Sequence, residues 1–210
     1  MISTSKFFFF ADEWNCIWRV DQAGPVEPQL VVAKPLFQKK AKTCLSTAFN
    51  DKWILYPDLE FTRRLKMMKI SSKGELFHPG SIHLEGRKKR CDRNPFPILD
   101  IQVAGKNQDK IFLVTHRSVR FLIYCFKAKK VLSRSIVTRY MIGHVPKQRF
   151  NCMSVSDEGE YAFVLEANSD FDNVALHVLR VRWDRRIRRA YLFRFGESPL
   201  KKFQRSISFA

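Results

Sequence analysis

The sequence predicts an all-β protein built from about four similar units of four short strands each. Runs rich in β-branched and aromatic residues alternate with Asp, Asn, Gly and Ser along the chain. Almost no segment shows the apolar period of a helix. The most complete unit runs from Gly143 to Val181, and its strands are predicted at Phe150–Ser156, Tyr161–Glu166 and Val174–Val181.

The same order of strands recurs through the rest of the chain. The second strands begin roughly 50 residues apart, at Phe7, Trp53, Ile111 and Ala162. Leading strands are predicted at Ile2–Ser5, Cys44–Phe49, Ile98–Ala104 and Phe150–Ser156. Third strands are predicted at Cys16–Val20, Leu65–Ile70, Phe121–Phe126 and Val174–Val181. Closing strands are predicted at Gln29–Ala33, at Glu75–His78 or Ser81–Leu84, at Val131–Ile136 and at Arg189–Phe195.

Repeated four-stranded units of this length are typical of a β-propeller, in which each unit forms one blade. We expect a single propeller-like domain over residues 1–210, because the chain is long enough to bury one core. Its units are predicted at residues 1–36, 43–85, 96–137 and 143–195. A β-sandwich is the alternative, since short alternating strands also fit two packed sheets.

Ring closure depends on residues 203–209, which have the pattern of a leading strand that no second strand follows. This closing strand would complete the first unit, whose own leading strand is short, and would give a small four-bladed ring. The other arrangement is half of a larger propeller. An open half leaves an edge that must be covered by a partner or by self-association.

Two of the units resemble the WD-repeat family. In the last unit the resemblance lies in the Gly143-His144 pair, the turn Ser156–Tyr161 and Asp172. In the first unit it lies in CIWRVD at Cys16–Asp21, with Trp18 in the tryptophan position. The resemblance implies a propeller that binds proteins. It also implies an incomplete hydrogen-bonded network in the last unit, made of His144, Asp172 and Ser169, with His177 or Leu179 in place of the tryptophan.

The chain carries a large positive charge. Its 38 lysines and arginines outnumber 20 aspartates and glutamates, so the net charge is +18 and the pI is about 10.0. Such a surplus favours an acidic partner such as nucleic acid.

The basic residues are grouped in predicted loops. The residues expected to bind RNA or another polyanion are Arg63, Arg64, Arg87, Lys88, Lys89, Arg90, Arg93, Lys147 and Arg149. They fall between units or between second and third strands, and in a propeller these connections share one face. Lys127, Lys129, Lys130 and the arginines 185, 186, 188 and 189 are expected on the other face. The run Gly86–Arg90 also matches a nuclear-import signal.

The cysteine count and the hydropathy indicate an intracellular protein. Five cysteines without C-x-x-C spacing are expected to be reduced. Phe7–Phe10 is too short for a signal peptide, and no segment has the roughly 20 apolar residues of a membrane helix. We therefore expect a cytoplasmic or nuclear location and no membrane partner.

Motifs of catalysis are absent from the sequence. The five histidines are scattered, and the chain contains no H-x-x-H, Walker, G-x-S-x-G or G-x-G-x-x-G motif. We expect no enzyme activity, no cofactor and no metal. The sequence therefore predicts a non-enzymatic scaffold whose basic face docks on RNA, a ribonucleoprotein or an acidic protein within a larger assembly. The alternative is an adaptor that binds only proteins and whose charge is incidental.

Overall fold

The computed structural model describes residues 1–12, 16–24, 27–32, 44–58, 64–84, 98–138, 149–168, 174–184 and 189–200. Every regular element in these ranges is a β-strand, so the all-β prediction is confirmed. Within the described ranges no helix is long and apolar enough to cross a membrane. The predicted closing strand at residues 203–209 lies outside the described residues.

The strands form four antiparallel sheets, each made of four strands that follow one another in the chain. Sheet 1 contains β1 (Ile2–Ser3), β2 (Phe7–Ala11), β3 (Ile17–Asp21) and β4 (Gln29–Val32). Sheet 2 contains β5 (Ser46–Ala48), β6 (Trp53–Pro57), β7 (Arg64–Ile70) and β8 (Leu76–His83). Sheet 3 contains β9 (Ile98–Ala104), β10 (Lys110–Thr115), β11 (Ser118–Cys125) and β12 (Lys130–Thr138). Sheet 4 contains β13 (Arg149–Val155), β14 (Tyr161–Ala167), β15 (Val174–Asp184) and β16 (Arg189–Leu200).

The predicted strands are found in their predicted order, and the last strand of sheet 2 differs from its prediction. The two alternatives for the closing strand of the second unit, Glu75–His78 and Ser81–Leu84, are parts of one strand, β8. The strand continues through Pro79-Gly80 with a shift of register against β7 between Met67 and Lys69. Proline, which lacks an N–H, is tolerated at such an irregularity and on the last strand of a sheet.

Successive side chains along a strand point to opposite faces of the sheet, so they contact different neighbouring sheets. In β6, Ile54 packs toward sheet 1 beside Phe9, whereas Leu55 packs toward sheet 3 beside Ile111. All four of these side chains are fully buried. A third cluster, which includes Phe112 of β10, joins sheet 3 to sheet 4. Burial of one such side chain contributes about 1.5–3 kcal/mol, so these three clusters hold the four sheets in chain order.

Backbone close to the neighbouring sheet reinforces each junction. Gly159, in the turn between β13 and β14, has φ of 63° and lies against Lys110 of β10. A Cβ at Gly159 would lie 2.8 Å from Cδ of Lys110 and 3.1 Å from Cβ of Ala104. Nζ of Lys110 donates a hydrogen bond of 2.5 Å to the carbonyl oxygen of Glu158. Glycine is therefore required at residue 159 both by its left-handed backbone and by the sheet packed against it.

Replacing Gly159 with alanine is expected to lower the free energy of unfolding by about 1–3 kcal/mol, because it adds backbone strain and displaces Lys110. Urea denaturation of both proteins measures the difference. Gly24→Ala is the matched control, since a Cβ there meets Asp21 at an ordinary 3.5 Å and the backbone is not left-handed. Equal stability of the two variants would contradict this account of the junction.

Candidate binding surfaces

Two of the nine basic residues predicted to bind a polyanion lie within the described ranges. Arg64 is the first residue of β7 and is half-buried, whereas Arg149 is the first residue of β13 and is exposed. The other seven lie outside the described residues: Arg63, Arg87, Lys88, Lys89, Arg90, Arg93 and Lys147. His144, Ser169 and Asp172, which the WD-repeat resemblance singled out, also lie outside them.

Arg64 and Arg149 lie at the same end of their sheets. We call this the connection end, because β4, β8 and β12 end there and β5, β9 and β13 begin there. The connections formed by residues 33–43, 85–97 and 139–148 start and finish at these strand ends. A hydrogen bond of 3.3 Å from the amide of Phe150 to the carbonyl of His116 joins sheets 3 and 4 at this end.

Arg117 is a further basic residue at the connection end, and the sequence reasoning missed it. It is exposed in the short turn between β10 and β11. Oγ1 of Thr115 closes this turn by accepting a hydrogen bond of 3.1 Å from the amide of Ser118. The third strand therefore starts at Ser118 rather than at Phe121 as predicted, and the histidine-arginine pair in the turn was the available signal.

The opposite end of the sheets also carries lysines. Lys127, Lys129 and Lys130 are exposed at the turn between β11 and β12, and Lys106 is exposed in the turn between β9 and β10. Acidic side chains accompany them, and Asp157, Glu158 and Glu160 are exposed in turns at this end. The described part of this end therefore presents charges of both signs.

A layer of polar side chains crosses the sheets just inside the connection end, and the sequence reasoning did not identify it as a repeat. In each sheet the layer contains one residue near the end of the second strand and one on the third strand. The register of the strands makes these pairs equivalent: Asp12 with Trp18, Asp58 with Lys66, Thr115 with Arg120, and Glu166 with His177. Asp58, Thr115, Arg120, Glu166 and His177 are buried.

Direct contacts join the pairs in three of the sheets. Nε1–H of Trp18 donates a hydrogen bond of 2.8 Å to Asp12, and Nζ of Lys66 lies 3.8 Å from Oδ1 of Asp58. In sheet 4, Nε2 of His177 lies 2.7 Å from Oε2 of Glu166. A buried carboxylate needs a hydrogen-bond donor or a cation beside it. Each acid of the layer therefore requires its own partner on the third strand.

The Glu166–His177 pair is the most deeply buried of these contacts. Both side chains are about 1% exposed, and the ring of Phe150 packs edge-on against His177 at 6.0 Å. Nδ1 of His177 has no hydrogen-bond partner among the described residues. The pair faces sheet 3, since Val164 and Leu179 on the same face belong to the cluster between sheets 3 and 4.

The polar layer bears on the WD-repeat resemblance. Trp18, which the resemblance places in the tryptophan position, donates its indole N–H to Asp12 within the layer. In the last unit the equivalent residue is His177, because both Trp18 and His177 stand opposite the residue two before the acid. Leu179, the other candidate, belongs instead to the apolar cluster between sheets 3 and 4.

A cavity of about 470 Å³ lies along the first strands of sheets 1, 2 and 3. Its lining includes Ser3, Ser46, Thr47 and Gln102 together with Asp100. Asp100 accepts hydrogen bonds of 2.8 Å from the side-chain amide of Gln102 and from the amide of Ile101. The cavity is therefore polar, and its carboxylate is already engaged by neighbours on β9.

Cys44 lines this cavity, and the pKa of its thiol is raised, as is that of Cys152 on β13. Burial, and next the charge of Asp100, raises the pKa of Cys44 to about 12. The same two causes raise the pKa of Cys152. A thiolate is the nucleophilic form of cysteine, so neither side chain has the properties of a catalytic thiol at neutral pH. Among the described residues no group of three or more His, Cys, Asp or Glu side chains is arranged to hold a metal ion.

Solved structures share this arrangement of sheets. With the periplasmic gluconolactonase PpgL of Pseudomonas aeruginosa the TM-score is 0.58 at 12% identity, over 96% of this chain and 53% of that chain. With the β-propeller domain of Cps50 (Swd1) from Myceliophteria thermophila the TM-score is 0.56 at 13% identity, over 94% and 57%. No family model and no curated protein matches the sequence.

The class of protein follows from the sheets and the comparisons together. Four consecutive four-stranded antiparallel sheets, packed face to face in chain order, form a β-propeller fold. The β-sandwich alternative is wrong, since the four sheets do not form one pair of packed layers. The chain spans a little over half the length of both solved structures. At these identities the likeness concerns the fold.

Replacing Glu166 with alanine is expected to lower the free energy of unfolding by about 3 kcal/mol, because His177 then stays buried beside a cavity instead of a carboxylate. Urea denaturation followed by circular dichroism measures this change. The control is Glu160→Ala, which removes an exposed carboxylate and should stay within about 0.5 kcal/mol of the unchanged protein. If both variants lose the same stability, the buried pair does not stabilise the junction.

Proposed function

We propose that the chain is a non-enzymatic β-propeller scaffold whose basic connections dock on RNA, alone or within a ribonucleoprotein. The observation that carries the proposal is the charge of the connections between sheets. Residues 33–43, 85–97 and 139–148 contain eleven lysines and arginines against two acidic residues. All three connections leave and re-enter the sheets at the connection end, and Arg64, Arg117 and Arg149 lie there as well.

The charge of the opposite end supports this choice of surface. The lysines at residues 106, 127, 129 and 130 share that end with exposed acidic side chains in neighbouring turns. The arginines at residues 185, 186, 188 and 189 follow β15 in the sequence, and we expect them at that end too. Opposite charges in adjacent turns cancel over distances beyond about 10 Å at moderate salt. The inter-sheet connections, with eleven basic residues against two acidic ones, are therefore the more strongly basic surface.

Two of the acidic residues at the connection end weaken this attraction little. Asp58 and Glu166 are buried and paired with Lys66 and His177. A paired, buried carboxylate contributes little field at the surface, since its partner lies within hydrogen-bonding or ion-pairing distance. The connections themselves remain the main source of surface charge at this end.

The scaffold role is favoured over catalysis by the chemistry of the cavity. Burial raises the pKa of its lining thiol, Cys44, and Asp100 already accepts hydrogen bonds from Gln102 and Ile101. General acid–base or nucleophilic catalysis needs a reactive group aimed at bound substrate. The gluconolactonase shares the fold with this chain at 12% identity, and its activity is a property of that protein.

A second candidate function is an adaptor that binds proteins only, and the exposed faces of the terminal sheets favour it. Large apolar side chains are exposed there, among them Phe163 at 38% and Phe195 at 58%. Contiguous apolar surface of this kind marks protein interfaces. An adaptor would bind its partner without steep dependence on salt, so salt dependence separates the two candidates.

Reversing the charges of Arg87, Lys88, Lys89 and Arg90 to glutamate is expected to weaken binding of a single-stranded RNA at least tenfold. The slope of log K against log salt should also become shallower by about three, since each phosphate contact contributes about 0.7. Fluorescence anisotropy of a labelled RNA between about 50 and 200 mM salt measures both quantities.

The matched control reverses four exposed lysines of the opposite end: Lys106, Lys127, Lys129 and Lys130. Both variants change the net charge equally, so only the position of the charge differs. The control is expected to keep the larger part of the affinity. Equal weakening by both variants would mean that a diffuse field, and no docking surface, attracts the RNA. If the unchanged protein binds RNA without salt dependence, the adaptor function replaces this proposal.

A further inference from the structure

The two terminal sheets each leave uncovered the kind of surface that neighbouring sheets cover elsewhere. We call the face of a sheet toward the preceding sheet its upstream face, and the face toward the following sheet its downstream face. At the centre of the upstream faces of sheets 2, 3 and 4 are Ile54, Ile111 and Ala162, which are 0% exposed. The equivalent residue of sheet 1 is Phe8, which is half-buried.

The upstream face of sheet 1 is apolar, although no described residue of a preceding sheet covers it. Phe8 stands opposite Val20, and Phe10 stands opposite Trp18. All four side chains are half-buried, and Leu30, paired with Trp18 on β4, is 48% exposed. The Asp12–Trp18 pair of the polar layer lies on this face too, whereas the residues equivalent to Asp12 in the other sheets, Asp58, Thr115 and Glu166, are buried.

The downstream face of sheet 4 shows the same contrast. At the centre of the downstream faces of sheets 1, 2 and 3 are Phe9, Leu55 and Phe112, each 0% exposed under the next sheet. The equivalent residue of sheet 4 is Phe163, which is 38% exposed. Its cross-strand partner Val178 is half-buried. The residues of a sheet junction are thus present on both terminal sheets, and no sheet in the described ranges covers them.

At the end opposite to the connection end, a basic side chain crosses two of the internal junctions, from a different strand in each case. Nη1 of Arg19, on the third strand of sheet 1, donates a hydrogen bond of 2.6 Å to the carbonyl of Lys73 in sheet 2. Nζ of Lys110, on the second strand of sheet 3, donates one to the carbonyl of Glu158 in sheet 4. The downstream face of sheet 4 carries Arg180 at this end, exposed and stacked against Tyr161 and Phe195 at 5.5 and 5.7 Å.

We propose that a second copy of this chain covers both faces, so that two copies close one ring of eight blades. In this ring the upstream face of sheet 1 of each copy packs on the downstream face of sheet 4 of the other. Each chain carries one face of each kind, and two head-to-tail junctions therefore satisfy all four faces. Eight blades lie within the known range of propellers.

The choice of a second copy as the occupant rests on the match between the two faces. Bulky Phe8 and Phe10 on one face would meet Phe163 and Val178 on the other, as Ile54 and Tyr56 of sheet 2 meet Phe9 of sheet 1 within the chain. This inference is independent of RNA binding.

The test is the mass in solution of the full chain and of three single variants, measured by sedimentation equilibrium. The unchanged chain is expected at twice 24.7 kDa. Phe8→Asp and Phe163→Asp should each give a single copy, because each variant damages both junctions of a ring. Leu132→Asp is the matched control, since Leu132 is 52% exposed but lies on the last strand of an internal sheet. It should leave the mass unchanged.

Mixing the two damaging variants separates this arrangement from others and reports on folding at the same time. An equimolar mixture of Phe8→Asp and Phe163→Asp retains one undamaged junction, so a dimer that contains both variants should return. Its return requires that both variants are folded. A single-copy mass for the unchanged chain would overturn the proposal, as would an assembly larger than two copies. A dimer that is disrupted by only one of the two variants, and not by the other, would also overturn it.

Discussion

Burial of both faces of every sheet is the constraint on which the rest of this fold depends. A sheet that is apolar on both faces must bury both of them, and here Ile54 and Leu55, neighbours in one strand, are covered by two different sheets. The chain meets this need by placing its sheets in order, with turn glycines such as Gly159 close enough for the next sheet to contact the backbone. The two terminal sheets have the same requirement, because Phe8 of sheet 1 is only half-buried and Phe163 of sheet 4 is 38% exposed.

The polar layer shows how an apolar junction accommodates charge. Glu166 and His177 lie 2.7 Å apart at almost no exposure, and Asp58 with Lys66 occupies the equivalent place two sheets earlier. A buried acid without its donor would cost several kcal/mol, so the pair favours one register of the second strand against the third. The layer thus adds specificity to junctions whose stability comes from apolar contacts.

Much of the fold could be predicted from the sequence, because strand runs and turn residues are local signals. The strand beginning at Trp53 and the leading strand Ile98–Ala104 lie where the alternation and punctuation predict them. The polar layer could not be predicted, since Asp58 and Glu166 become equivalent only once the strand register is known. Pro79 made one strand, β8, look like two alternative strands for a related reason. A strand accepts proline when it is the last strand of its sheet, and the sequence does not show that position. The basic runs of the proposed RNA-binding surface could be read from the sequence, because each run is a local pattern. Arg117 could be assigned to this surface only from the structure, which shows that it lies in the short turn between β10 and β11.

Amide hydrogen exchange at two protein concentrations tests most directly whether coverage by neighbouring sheets determines the stability of each sheet. The central strands β6 and β10 are covered on both sides within one chain, so their protection is expected to be high and independent of concentration. The strands β2 and β14 of the terminal sheets should be less protected in dilute solution and should gain protection as two copies associate. Protection of β2 and β14 that equals that of β6 and β10 at every concentration would contradict the account.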